Sequence, residues 1–310
     1  MKDELSANRT FLMGLAMIAV VCFHHGWVVI PGFTAVFSRF GLWGVDVFLF
    51  LSGFGCVYAL NKYSVLQFYK KRLNRLWPTC LLVGILIICV NQYFHAEKIM
   101  TYLPVRLFSI HRWYIQAILI CYAICPLAYV VMKRFRAWGL LLLIVIAVVI
   151  EWLLPEVKVW KINWAFGRLP VFLIGMYVGM FDLKLTKAQY IISGLCLVLA
   201  VVTRCVGVTR YVGGYYVFRW TYFLAAAMPF ICETLCRLRL ICMKLRVYRM
   251  IELCGIYSLE IYLIHEYFYW ALGPIGIPLY VKYALYGAIL SLLCVIAKKS
   301  TDFISDKMLR

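Results

Sequence analysis

The chain is a succession of long apolar runs separated by short polar breaks. Apolar stretches of about twenty residues, the length a helix needs to cross a bilayer, fall near 10–30, 41–60, 76–94, 112–131, 137–154, 164–181, 188–206, 216–235, 250–270 and 279–297. The pattern predicts an all-α polytopic membrane protein of about ten transmembrane helices. No Ser-, Pro- or Gly-rich linker interrupts it, and no polar block is long enough for a second domain. No internal repeat of the kind that marks an inverted-repeat transporter is present. Residues 1–310 therefore read as a single integral membrane domain.

Composition agrees with that pattern, since 65% of the residues are hydrophobic and only 15% are charged, far from the balance of a soluble domain. A net charge of +19 would suggest nucleic acid in a soluble protein. Here the basic residues cluster in short loops between spans, so the charge reads as topology and contact with membrane lipids, with no nucleic acid partner. With the amino terminus inside, the segments on that side hold about 21 of the 32 lysines and arginines. That asymmetry predicts cytoplasmic termini and a multi-pass protein of the cell inner (plasma) membrane. Asp3 and Glu4 spoil a basic leader, so the first span is expected to stay in the protein. The thirteen cysteines lie mostly inside apolar runs, as in Cys121 and Cys125 or Cys232 and Cys236, without a CxxC pair. Packing is their reading, and no metal is expected.

A few polar residues break the apolar runs where lipid would not tolerate them. The first span ends in His24 and His25. At about 1.5 Å per residue from Thr10, His24 lies roughly 20 Å into the bilayer, where an ionisable group is a functional candidate. The two side chains point about 100° apart on a helix, so one of them is the working residue. A neutral imidazole there can take a proton from a hydroxyl and return it; the bland alternative is a pair that caps helix packing near the outer interface. Asp46 opens the second span, where its carboxylate either orients a histidine of the first span or caps its own helix. Arg72 and Arg75, three apart in FYKKRLNRLWP, face one way where the chain re-enters the membrane. Guanidinium forks there suit nucleotide phosphates, although positive-inside anchoring accounts for the run as well.

Later positions suggest an acceptor-binding region. His111, Trp113 and Tyr114 open the fourth span, the last two with the ordinary reading of an interfacial aromatic belt. Glu260 and His265 lie in YSLEIYLIHEYF, and a carboxylate amid Leu, Ile and Tyr is expected to face the bundle interior. Arg39, Arg112, Arg168, Arg204, Arg210 and Arg219 run against the charge rule and suit sugar hydroxyls, carboxylates or lipid phosphates around an outer mouth, or simple headgroup snorkelling.

With these residues assembled, the sequence resembles the acyltransferase type 3 family of integral membrane enzymes. GLAMIAVVCFH, GVDVFLFLSGFGCVYAL, FYKKRLNRLWP, HRWYIQAILICYAICPLAYV, RLPVFLIGMYVG and YSLEIYLIH follow in family order and at family spacing. The resemblance implies acetyl-CoA or another acyl-CoA as cytoplasmic donor and a hydroxyl of an extracytoplasmic glycan or glycolipid as acceptor. It places the family's catalytic histidine on His24 and its donor-binding arginines on Arg72 and Arg75. One position departs: Met13 stands where the family typically has arginine, with Arg9 one turn earlier.

The expected activity is O-acyl transfer, with His24 and Asp46 in catalysis, Arg72 and Arg75 on the donor, and Trp113, Tyr114, Arg168, Glu260 and His265 on the acceptor. Direct transfer and an acyl-histidine relay both fit, as does passage of the acyl group to a partner or a second copy of the chain. The rival reading is a proton-coupled transporter or flippase using His24 and Glu260.

Overall fold

The computed structural model describes residues 1–24, 41, 43–95, 113–154, 162–181, 185–206, 211–212, 215–216, 220–272 and 276–309. Ten helices occur among them: α1 (Lys2–His24), α2 (Trp43–Lys62), α3 (Val65–His95), α4 (Trp113–Leu153), α5 (Ile162–Met180), α6 (Lys187–Val206), α7 (Trp220–Lys244), α8 (Tyr248–Ile256), α9 (Ser258–Leu272) and α10 (Leu279–Leu309). A two-residue antiparallel ladder, β1 (Tyr211–Val212) with β2 (Tyr215–Tyr216), lies between α6 and α7.

Among the described residues five helices are long and apolar enough to cross a membrane: Lys2–His24, Trp43–Lys62, Trp113–Leu153, Lys187–Cys205 and Leu279–Ser305. The all-helical, membrane-type architecture agrees with the apolar pattern, and its details refine the expected spans. The runs 112–131 and 137–154 are the two arms of α4, whose backbone breaks at Arg136 with φ 49° and ψ −124°. The expected span 250–270 is broken in the middle: α8 ends at Ile256 and α9 begins at Ser258. Helix α3 starts eleven residues before the expected span at 76, because Ser64 and Gln67 form a reciprocal capping box. The basic stretch with Arg72 and Arg75 is therefore helical and continuous with the apolar part. Thr186 and Gln189 cap α6 in the same way.

Close helix crossings fix the core. A Cβ on Gly53 of α2 would run into the carbonyl oxygen of Phe172, and one on Gly175 of α5 into that of Phe50. Two helices approach this closely only where a side chain is missing, the small-residue packing of membrane interiors. Phe50 and Phe172 are themselves fully buried beside this crossing. Helix α1 runs antiparallel to α2: Gly44 lies on Ala16 and Val20, and Gly55 on the guanidinium of Arg9. Helix α8 crosses α1 through Gly14 against the Ile251 carbonyl and Gly255 against that of Thr10. The break after α8 turns the chain so that α9 runs back along α1, bringing Tyr262 and His265 toward the far end of the bundle.

Candidate functional site

Side chains of α1, α2, α3, α4 and α9 line a partly open cavity, with Met13 of α1 and Leu76 of α3 among them. Arg9, Arg72 and Arg75 line it together with Phe48, Tyr114 and Tyr262. Arg72 donates through Nη2 to the Gly55 carbonyl at 2.9 Å, and its guanidinium lies 5.6 Å from the Phe68 and Tyr122 ring centres. Arg9 feels the positive charge of both Arg75 and Arg72. Its buried Nε has no hydrogen-bond partner among the described residues. Three guanidinium groups thus converge on a cavity whose lining, among the described residues, includes no carboxylate. Such a cluster is costly without an anion to neutralise it. Met13 lines the same cavity as Arg9, so the cation one turn earlier reaches the place where the expected arginine is missing.

Rings lead from this cavity to the histidines. Tyr114 and Tyr262 lie 4.9 Å apart centre to centre, Tyr262 lies 6.0 Å from His265, and His265 lies 5.0 Å from His24. His265 is fully buried, and its Nδ1 lies 3.0 Å from the Ile261 carbonyl and 2.9 Å from that of Tyr262. Carbonyl oxygens only accept, so that nitrogen carries the hydrogen and Nε2 holds the lone pair. Nε2 in turn lies 3.2 Å from His24 Nδ1, which also sits 3.0 Å from the Val20 carbonyl. The same rule puts the His24 hydrogen on Nδ1 and leaves its Nε2 as a base, 3.4 Å from Oε2 of Glu266. Helix α1 supplies the first histidine at its carboxyl end, and α9 supplies the other two groups from adjacent positions.

Asp46 has a different partner. Its fully buried carboxylate accepts from Arg168 Nη1 at 2.5 Å, and its other oxygen has no hydrogen-bond partner among the described residues. The Arg168 guanidinium lies 4.7 Å from the Trp113 ring centre and 5.9 Å from that of Trp220. Close by in the chain, Tyr222 donates to the buried Glu151, whose carboxylate fills the place a side chain at Gly167 would need.

The residues expected to bind the acceptor are thus divided. Arg168 pairs with Asp46 and rests on Trp113, Tyr114 lines the arginine cavity, and His265 touches His24. Glu260 is buried and lines a second, partly open cavity with Arg75, Lys298 and Asp302. That cavity shares Arg75, Ser258 and Leu259 with the first. His25, His111, Arg39, Arg112, Arg210 and Arg219 lie outside the described residues. Glu266 escaped the sequence reading. Its signal was a second carboxylate in an apolar run, directly after a histidine.

Residues 11–298 match the model of a family described as an acyltransferase domain. No curated protein and no solved structure matches the chain.

Proposed function

We propose, from the premise that the chain belongs to the acyltransferase family whose model it matches, that it moves an acyl group from acyl-CoA to a hydroxyl across a membrane. The donor is a cytoplasmic acyl-CoA, acetyl-CoA by the family resemblance, and the acceptor is an extracytoplasmic glycan or glycolipid. The whole chain acts as one multi-pass domain of the plasma membrane, with some ten spans and both termini inside. The observation that carries this reading is the cluster of Arg9, Arg72 and Arg75 around a cavity with no carboxylate in its described lining. Guanidinium forks bind phosphates in pairs of hydrogen bonds, so the anionic end of CoA is the natural occupant.

Reach supports the same assignment. Arg9 and His24 are fifteen residues apart on α1, about 22 Å along the helix. An extended phosphopantetheine arm spans roughly 15–20 Å by ordinary bond lengths. The arm is a little shorter than this helix distance and of the same order, so the nucleotide can stay near the arginines while the thioester passes Tyr114 and Tyr262 toward His24. There the acceptor hydroxyl gives its proton to His24 Nε2 as its oxygen attacks the thioester carbonyl. The carbon–sulfur bond breaks, and the departing CoA sulfur takes the proton back. Glu266 beside Nε2 steadies the imidazolium in between, as a carboxylate does for a catalytic histidine.

Transfer of a labelled acyl group from CoA by purified protein tests this. His24→Ala is expected to lower transfer by about a hundredfold or more while CoA still protects the protein against thermal unfolding. Undiminished transfer by that variant would remove His24 from the reaction.

A further inference from the structure

The contact between His24 and Glu266 has a chemical requirement of its own. With its Nδ1 hydrogen held by the Val20 carbonyl, His24 presents a lone pair at Nε2, and the group 3.4 Å away is a carboxylate oxygen. Two acceptors at that separation attract only when a proton or a cation bridges them. His265 presents a third lone pair at Nε2, fixed by two backbone carbonyls on its other nitrogen. One ligand atom from each of His24, His265 and Glu266 lies within 4.8 Å of the others.

We propose that these three side chains bind a zinc ion. Two imidazoles and one carboxylate are a donor set that zinc takes readily, whereas magnesium and calcium favour oxygen alone. Zinc sits about 2.0–2.1 Å from such atoms, which sets neighbouring ligands roughly 3.4 Å apart on a tetrahedron. The His24–Glu266 separation already has that value, and the His265 nitrogen stands within 4.8 Å of both as the third donor. Both histidines also give their second ring nitrogen to backbone carbonyls, the support that holds metal-binding imidazoles in one tautomer. The Glu266 oxygen nearest His24 is buried, so a cation there would meet an acceptor already withdrawn from water. The site departs from the expectation of no metal, which rested on cysteine spacing and could not bring α1 and α9 together.

The consequence for activity rests on the acyltransferase reading. Zinc on Nε2 of His24 occupies the lone pair that accepts the hydroxyl proton, so the loaded protein is inhibited and a chelator restores it.

The test uses full-length protein in detergent, stripped with chelator, loaded with zinc and desalted before the metal is counted. One zinc per chain is expected, with affinity weakened at least tenfold in His265→Ala and Glu266→Gln. Zinc retained equally by those variants, or no retention by the unaltered protein, would overturn the site. Cobalt loading of the unaltered protein gives a second readout that needs no variant. A nitrogen and oxygen site shows no thiolate charge-transfer band, and such a band would assign the metal to the cysteines instead. Failure of acyl transfer in metal-free protein would count against the enzyme reading and leave the zinc count standing. Full transfer by protein carrying this zinc would refute the inhibition.

Discussion

Nε2 of His265 lies 3.2 Å from Nδ1 of His24, although 241 positions separate the two residues. His265 cannot rotate freely, because Ile261 and Tyr262 hold its other nitrogen. It therefore acts as a fixed acceptor that keeps the His24 hydrogen on Nδ1 and the base on Nε2. Replacing His265 with Ala is expected to lower kcat by about a hundredfold, the scale of a misplaced reacting group. The KM for acyl-CoA should stay within a few-fold, since the arginine cavity is untouched. A purely structural role would instead reduce folded yield and CoA protection together, which thermal unfolding with and without CoA separates.

Arg9 takes part in the same cavity as Arg72 and Arg75 from a different helix. A hydrogen bond to a charged group contributes about 1.5–3 kcal/mol, so Arg9→Ala should weaken CoA binding by about ten- to a hundredfold. Met13 faces the same space one turn away. Adding Met13→Arg to the Arg9→Ala protein is expected to recover a substantial part of the loss. Unchanged CoA affinity in the single variant would separate Arg9 from the donor.

Local signals made part of this legible. Apolar length gave the long helices, whereas the expected start at 76 passes over the Ser64–Gln67 pair that begins α3 at Val65. What sequence could not supply is the long-range pairing. Asp46 meets Arg168 from 122 positions away, and nothing in either span announces the other. The break between α8 and α9 was hidden for a similar reason. A continuous apolar run reads as one span, whereas the helix ends at Ile256 and resumes at Ser258. Glu266 mattered only once α9 had been laid along α1.

The crossing of α2 and α5 should be intolerant of any side chain. At Gly53 and Gly175 the obstructing atoms are backbone carbonyl oxygens, which cannot swing aside. Gly53→Leu or Gly175→Leu is expected to abolish monodisperse protein in detergent, as overpacking of a tight core does. Gly194 in α6 is the control, since a Cβ there meets nothing within 4 Å. Gly194→Ala should raise stability by about 0.5–1 kcal/mol through helix propensity alone. Equal tolerance at all three positions would refute this account of the crossing.

The Asp46–Arg168 pair decides between two roles for Asp46. Both side chains are buried, and Arg168 is also held between Trp113 and Trp220. Removing the carboxylate leaves a buried guanidinium without its counter-ion, which typically costs about 3–5 kcal/mol. Asp46→Ala should therefore unfold at markedly lower temperature, and Asp46→Ala with Arg168→Met should recover part of that loss because the stranded charge is gone. If the pair serves only to join α2 to α5, acyl transfer per folded molecule stays within a few-fold in the double variant. A hundredfold drop in transfer with stability restored would instead tie Asp46 to the reaction at His24. The double variant makes the distinction because it separates the loss of the carboxylate from the cost of a stranded cation, which the single substitution always combines.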